Sequence, residues 1–221
     1  MQRKTYGRKL ADPDRKFERN SERCRKRDLI EATLAVIANQ GIDAATVRAI
    51  AVEANVTPGL IRYYFSSKEE LVAAAYEHHM TTMTNASGNS IADIEDICPK
   101  VRLAKFITVA ISPPITNLQF VTLWAGFLSR ARSDHNMLAI HQNAYFDFRD
   151  RVEHLIVEIM EREGKPLTPG EAMKLATALT AIIDGLWLEG GLLPKAFAPE
   201  EIVDIVLNSC EAILGVELVK A

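Results

Sequence analysis

Apolar residues recur every three to four positions along almost the whole chain, and no stretch alternates apolar and polar residues long enough to specify a strand. The pattern predicts an all-α protein. A first helix is expected from near Cys24 to Gln40, with Ile30, Leu34 and Ile37 on one face and Gly41 as a left-handed stop. A second, short helix follows Thr46 as N-cap, its apolar positions Val47, Ile50, Ala51 and Ala54 falling at i, i+3, i+4 and i+7. Asn55 lies where the chain must turn, and asparagine tolerates a positive φ better than most residues. A third helix opens on Thr57 as N-cap, with Pro58 at the first helical position and Val56 placed to staple against Ile61. Ser67 and Glu70 then form a capping box for a fourth helix, through Leu71, Val72, Ala75 and Tyr76 to about Asn85.

Beyond a polar stretch around Gly88, helices are expected over about 98–112, 115–132, 134–163, 168–190 and 199–214. Pro113-Pro114 breaks the first pair, Asp134 caps the long helix, and Gly164 with Pro166 ends it. Thr168, Pro169 and Glu171 combine an N-cap, a first-turn proline and a capping box, and Pro199 with Glu200 and Glu201 opens the last helix.

With 221 residues, 48% of them hydrophobic, the chain can bury a proper core in one or two domains. Cys24, Cys98 and Cys210 are scattered, with no CxxC pair and no histidine cluster beside them, so neither a disulfide framework nor a zinc site is expected. No metal or other cofactor is implied. No apolar run approaches the ~20 residues of a membrane helix, and no signal peptide opens the chain, so a soluble, cytoplasmic protein is expected.

The net charge of −3 conceals an uneven distribution. Residues 1–80 carry 14 basic and 11 acidic side chains, residues 81–221 carry 12 and 18, and the first 28 residues alone carry 11 and 5. The amino-terminal part therefore favours a polyanionic partner more than the remainder does, although a solvated tail has the same composition. The expected organisation is a basic flexible arm over 1–22, a helix-turn-helix domain over 23–75 and a larger helical domain over 76–221.

Two short helices joined by a tight turn, 46–54 and 57–64, have the dimensions of a helix-turn-helix, a shape that many helical proteins also use as simple packing. The stretches Thr46-Val47-Arg48-Ala49-Ile50-Ala51, Asn55-Val56-Thr57-Pro58-Gly59-Leu60-Ile61-Arg62-Tyr63-Tyr64-Phe65 and Ser67-Lys68-Glu69-Glu70-Leu71 are more specific. Together they resemble the DNA-binding domain of the TetR family of bacterial regulators over roughly residues 24–75. Asn55 departs from the family's usual turn glycine, and Arg62 stands where the family most often has tyrosine.

The resemblance implies a double-stranded DNA operator as partner, read by Thr46, Arg48, Thr57, Pro58, Gly59, Leu60, Arg62, Tyr63, Tyr64 and Lys68. Arg62 has the donor fork for a guanine edge, and Leu60 or Thr57 can meet a thymine methyl. Thr46 and Lys68, at helix starts, suit phosphates. Arg23, Arg25, Lys26 and Arg27 would add salt-dependent affinity or reach a minor groove.

One headpiece offers few base contacts, so a homodimer across two half-sites is expected. The helix over 168–190, with Leu175, Leu179, Ile182 and Leu186 among Ala176, Ala178, Ala181 and Gly185, and the last helix, with Ile202, Ile205, Val206 and Ile213, are the candidate interface. The same stripes also suit an intramolecular core.

Ile182-Ile183-Asp184-Gly185-Leu186-Trp187-Leu188 and Leu123-Trp124-Ala125-Gly126-Phe127, with the long helix through Tyr145, resemble the C-terminal domain of the BetI-type subgroup of betaine-gene repressors, whose members respond to choline. That resemblance implies a small-molecule effector held by Phe120, Trp124, Phe127, Tyr145 and Trp187, with Asp184 as counter-charge. Aromatic faces attract quaternary ammonium groups by ~0.5–2 kcal/mol each, though aromatics at helical spacing also build ordinary cores. None of His78, His79, His135, His141 and His154 has a Ser, Cys or Asp at a catalytic spacing, and no phosphate loop, nucleophile elbow or dinucleotide fingerprint occurs. The expected protein is a repressor released from DNA by its effector. A helical adaptor without DNA binding, or an all-α enzyme, is the alternative.

Overall fold

The computed structural model describes residues 13–92, 94, 97–198 and 200–219, with side chains from residue 22 onward. Nine α-helices and a one-turn 3-10 helix make up the described regular structure: α1 Pro13–Gln40, the 3-10 turn Ile42–Ala44, α2 Val47–Glu53, α3 Pro58–Tyr64, α4 Lys68–Ala92, α5 Pro99–Ala110, α6 Leu118–Ala131, α7 His135–Arg162, α8 Pro169–Leu192 and α9 Glu201–Leu214. No strand occurs among the described residues.

The helix starts follow the cap chemistry. Thr46 accepts from the amide of Ala49 at 3.1 Å, Asp134 from Asn136 and Met137, and Thr168 forms a complete capping box with Glu171. Asn55 has φ +53, as the turn between α2 and α3 requires. Two caps differ from expectation. Thr57 occupies the N-cap of α3 without a capping hydrogen bond, which leaves its exposed hydroxyl uncommitted. Ser67 does accept from the Glu70 amide at 3.0 Å, but the Glu70 carboxylate returns to the amide and hydroxyl of Ser66, one residue early.

Two helices exceed their expected lengths. α1 begins at Pro13 rather than near Cys24, so residues 13–22 of the expected arm are helical; residues 1–12 lie outside the described residues. α4 runs through the polar stretch at Gly88 to Ala92, because Arg151 of α7 lies against Gly88 and donates to Asn85 at 3.0 Å, replacing water on that face. Pro199, expected to open the last helix, lies outside the described residues, and the Glu201 carboxylate accepts from the Ala198 amide at 3.0 Å.

Two cores form. Leu29, Val36, Ile37, Ile50, Ile61, Phe65 and Leu71 fill the first, and it does not stop at residue 75. Tyr76 and Met80 of α4 and Phe127 and Met137 of the larger domain complete it, because α4 is one continuous helix whose apolar face passes from one core to the other. The second core joins α5 to α9 through residues such as Phe106, Ile107, Val152, Ile156, Leu179 and Val206.

In α8 and α9 the predicted interface stripe divides. Ala176, Leu179, Ile202 and Val206 are buried within the chain, and Leu175, Ile182 and Leu186 pack partly against the same core. Ala181, Gly185, Ile205 and Ile213 face outward, as does Leu192 beyond the expected stripe. The expectation that no segment has the length and apolarity to cross a membrane is also corrected: α8 meets both criteria, and only 33% of its most apolar window is buried within the chain. It nevertheless packs on α6, α7 and α9, as a bundle helix does.

Candidate nucleic-acid interface and effector cavity

α3 is fixed by a buried edge, Ile61 and the following Phe65, and it turns its other residues outward. Thr57, Pro58, Gly59, Arg62 and Tyr63 are exposed, Tyr63 by 76%, while Leu60 and Tyr64 are half-buried; the two tyrosine rings meet edge-on at 5.0 Å. No ion pair among the described residues occupies Arg48 or Arg62, whereas Arg25 and Arg27 face Asp28 and Glu31 on α1. Thr46 and Arg48 are exposed at the start of α2, and Lys68 is half-buried at the start of α4, in a small groove that Arg130 and Asp134 also line. A Cβ added at Gly59 would meet nothing closer than the Thr57 hydroxyl at 3.8 Å, so its own subunit gives no reason for glycine in this helix. A surface that something must approach closely gives one.

Midway along α4 a cavity of about 50 Å³ opens among α4, α6, α7 and α8. Met80, Met83 and Thr84 form one wall, Trp124, Tyr145, Phe148 and Trp187 the aromatic walls, and Asp184 is the single carboxylate in its lining. The two indoles meet edge-on at 5.7 Å, and Trp187 is oriented by donating its Nε1–H to the Ile115 carbonyl at 2.9 Å. Burial pushes Asp184 up to about 6, against the opposing pull of the neighbouring Tyr145 hydroxyl and of the charge of Arg149. Burial likewise raises the Tyr145 phenol, and the neighbouring Asp184 charge adds to it. The carboxylate is therefore held at a cost that a bound cation would relieve.

The structure brings together four of the six residues expected around the effector: Trp124, Tyr145, Asp184 and Trp187. Phe120 and Phe127 do not line the cavity. Phe127 is wholly buried, stacked on Tyr76 at 4.6 Å, and Phe120 turns to His79 at 5.1 Å, because α6 faces α4 rather than the cavity at those two turns. Sequence reasoning missed Phe148 and the methionine wall. Phe148 follows Tyr145 by three residues, and Met80, Met83 and Thr84 share one face of α4, so helical spacing was the available signal.

A helix sized for a DNA groove and a cavity sized for a small ligand, joined by one unbroken helix, are the build of a DNA-binding regulator. Family comparison agrees: residues 29–75 match the model of bacterial regulatory proteins of the TetR family, and residues 99–215 match that of the BetI-type transcriptional repressor C-terminal domain. The HTH-type transcriptional regulator BetI of Proteus mirabilis is 30% identical over 194 residues, covering 85% of this chain and 94% of the relative. That of Burkholderia thailandensis is 30% identical over 196 residues, covering 86% and 94%. The crystal structure of a transcriptional regulator from Pseudomonas aeruginosa PAO1 superposes with a TM-score of 0.77 at 32% identity, covering 87% of this chain and 89% of that one. A regulator from Saccharomonospora viridis, crystallised in complex with choline, has the same fold at a TM-score of 0.69 and 18% identity, covering 85% and 95%.

The chain belongs to the TetR family of bacterial transcriptional regulators, with a C-terminal domain of the BetI repressor type. It is a DNA-binding regulator and not an enzyme, and the adaptor reading falls with the enzyme reading.

Proposed function

We infer that this chain is an operator-binding repressor that acts as a homodimer in the cytoplasm and leaves DNA when a small organic cation of the choline type enters the cavity of Trp124, Tyr145, Phe148, Asp184 and Trp187. The observation that carries the reading is the chemistry of that cavity: several aromatic faces and a single, partly desolvated carboxylate. Such a site favours a diffuse positive charge over an ammonium with many N–H donors, since the aromatic and thioether lining leaves few acceptors. The S. viridis neighbour bound to choline supports the same class of ligand. At about 50 Å³ the cavity suits a ligand of a few heavy atoms.

The exposed faces of α8 and α9 support the dimer. Ala181 and Gly185 let a second helix approach closely, and Leu192, Ile205 and Ile213 leave apolar area that a partner copy would cover. On the reading face, Thr57, Leu60, Arg62 and Tyr63 are assigned to base edges, with Pro58 and Gly59 letting the helix start lie close to the groove floor. Thr46, Arg48, Tyr64 and Lys68 are assigned to phosphates.

The test is selection of bound duplexes from a random pool, followed by titration of the complex with choline, tetramethylammonium and an uncharged polyol. Release by the two cations and not by the polyol is expected, from a species of twice the chain mass in light scattering. Retention of the duplex at millimolar concentrations of both cations would overturn the effector assignment, and a monomer at micromolar concentration the dimer.

A further inference from the structure

One side-chain chain links the cavity to the core of the DNA-binding domain. Asp184 of α8 and Tyr145 of α7 line the cavity together, close enough for each to perturb the other's ionisation. One turn earlier on α7, His141 packs its ring 4.6 Å from that of Tyr145 and places Nδ1 2.7 Å from the hydroxyl of Tyr76 on α4. Tyr76 has no exposed surface, stacks on Phe127 and belongs to the core that also holds Ile50, Ile61 and Leu71 of the DNA-binding domain. Met80, one turn further along α4, lines the cavity itself.

Such a pair is costly to half-break. A buried hydroxyl deprived of its partner loses its hydrogen bond without regaining water, so the Tyr76–His141 contact is made or lost as a unit. It ties α7 to α4; among the described residues the next side-chain hydrogen bond between these two helices is the one from Arg151 to Asn85, more than two turns further along α4.

We propose that the Tyr76–His141 hydrogen bond couples the cavity to the DNA-reading helices: a cation drawing on the Asp184 carboxylate frees or turns Tyr145, the His141 ring follows, and α4 shifts as its bond to α7 is remade. The proposal rests on the effector reading above and adds to it two positioning residues that touch neither ligand nor DNA. Contiguity alone does not establish coupling; a change in the mutual effect of the two ligands does.

The experiment measures three quantities on the full chain: choline affinity from the fluorescence of Trp124 and Trp187, affinity for the selected duplex by anisotropy, and the factor by which saturating choline weakens the duplex. Tyr76→Phe and His141→Leu are expected to change each separate affinity by less than about threefold and to lower the release factor by about three- to tenfold, the range of one buried hydrogen bond. The double variant is expected to match the single ones, and His141→Asn, which keeps a polar atom near the position of Nδ1, to retain most of the release. Two variants of different shape guard against a folding defect in either. Normal choline binding with an unchanged release factor in both single variants would overturn the coupling and leave the effector site standing. Absence of choline binding in the unmodified protein would instead overturn the site, and the coupling with it.

Discussion

Protonation of Asp184 gives the sharpest measurement on the cavity. Burial raises its carboxyl to about 6, so the apo protein carries the charge above that pH and loses it below. A quaternary cation resting on the aromatic walls draws its electrostatic attraction from the ionised form alone, and binding must first remove the proton where one is present. With the group at 6, about a tenth of the protein is ionised at pH 5 and nearly all of it at pH 7.5. Choline is therefore expected to bind about tenfold more weakly at pH 5, or about 1.4 kcal/mol, and to release about half a proton per site at pH 6. Isothermal titration in buffers of different ionisation enthalpy reads both quantities. Asp184→Asn should abolish the pH dependence and hold the affinity near the acid value throughout, because an amide resembles the protonated acid. 3,3-Dimethylbutanol, which matches choline in shape without its charge, should bind independently of pH in both proteins. A choline affinity that does not change between pH 5 and 7.5, or an asparagine variant that keeps the slope, would refute the assignment of Asp184 as counter-charge.

Other consequences can be measured on the same protein. Gly59→Ala should stabilise α3 by up to about 1 kcal/mol in denaturant titration, since nothing in the subunit obstructs a methyl there, while weakening duplex binding at least several-fold; unchanged DNA affinity would mean that the start of α3 does not approach the groove. Arg62→Ala should flatten base preference at one position by about 1–3 kcal/mol in a binding-site selection, and equal losses on selected and random duplexes would contradict base reading. His79 of α4 is buried against Phe120 and Phe127 of α6, and burial lowers it to about 4, so its contribution to stability is complete above pH 6.5 and is lost as pH falls towards 4. Asp184 works in the opposite sense over much of that window, because its raised pKa costs stability that returns on acidification. Urea unfolding should accordingly show Asp184→Asn losing about 2.5 kcal/mol from these sites between pH 7 and 4.5, and the unmodified protein clearly less. Gly191→Ala should destabilise by about 1–3 kcal/mol, because its methyl would run into a Val121 methyl and lie 3.3 Å from the Asn117 carbonyl; thermal melting reads the loss.

Local chemistry wrote most of the secondary structure into the sequence. Caps at Thr46, Asp134 and Thr168, proline at Pro58 and Pro169, and the positive φ of Asn55 act through a few neighbouring atoms, so their outcome was legible without a fold. The exposed face of α3 was legible for the same reason: a seven-residue helix that buries Ile61 has little choice about which side Arg62 and Tyr63 present. Distant packing decided the rest. α4 continues through Gly88 because Arg151, distant in sequence, covers it, and no property of the segment itself announces that. Phe120 and Phe127 carried the same apolar signal as Trp124, yet only the rotation of α6 against α4 and α7 separated core from cavity wall. Tyr76 and His141 are polar groups on apolar faces, and only the crossing of their helices made them a pair. Hydrophobic periodicity fixes which face of a helix is covered, while the partner that covers it is set by close packing across the whole chain.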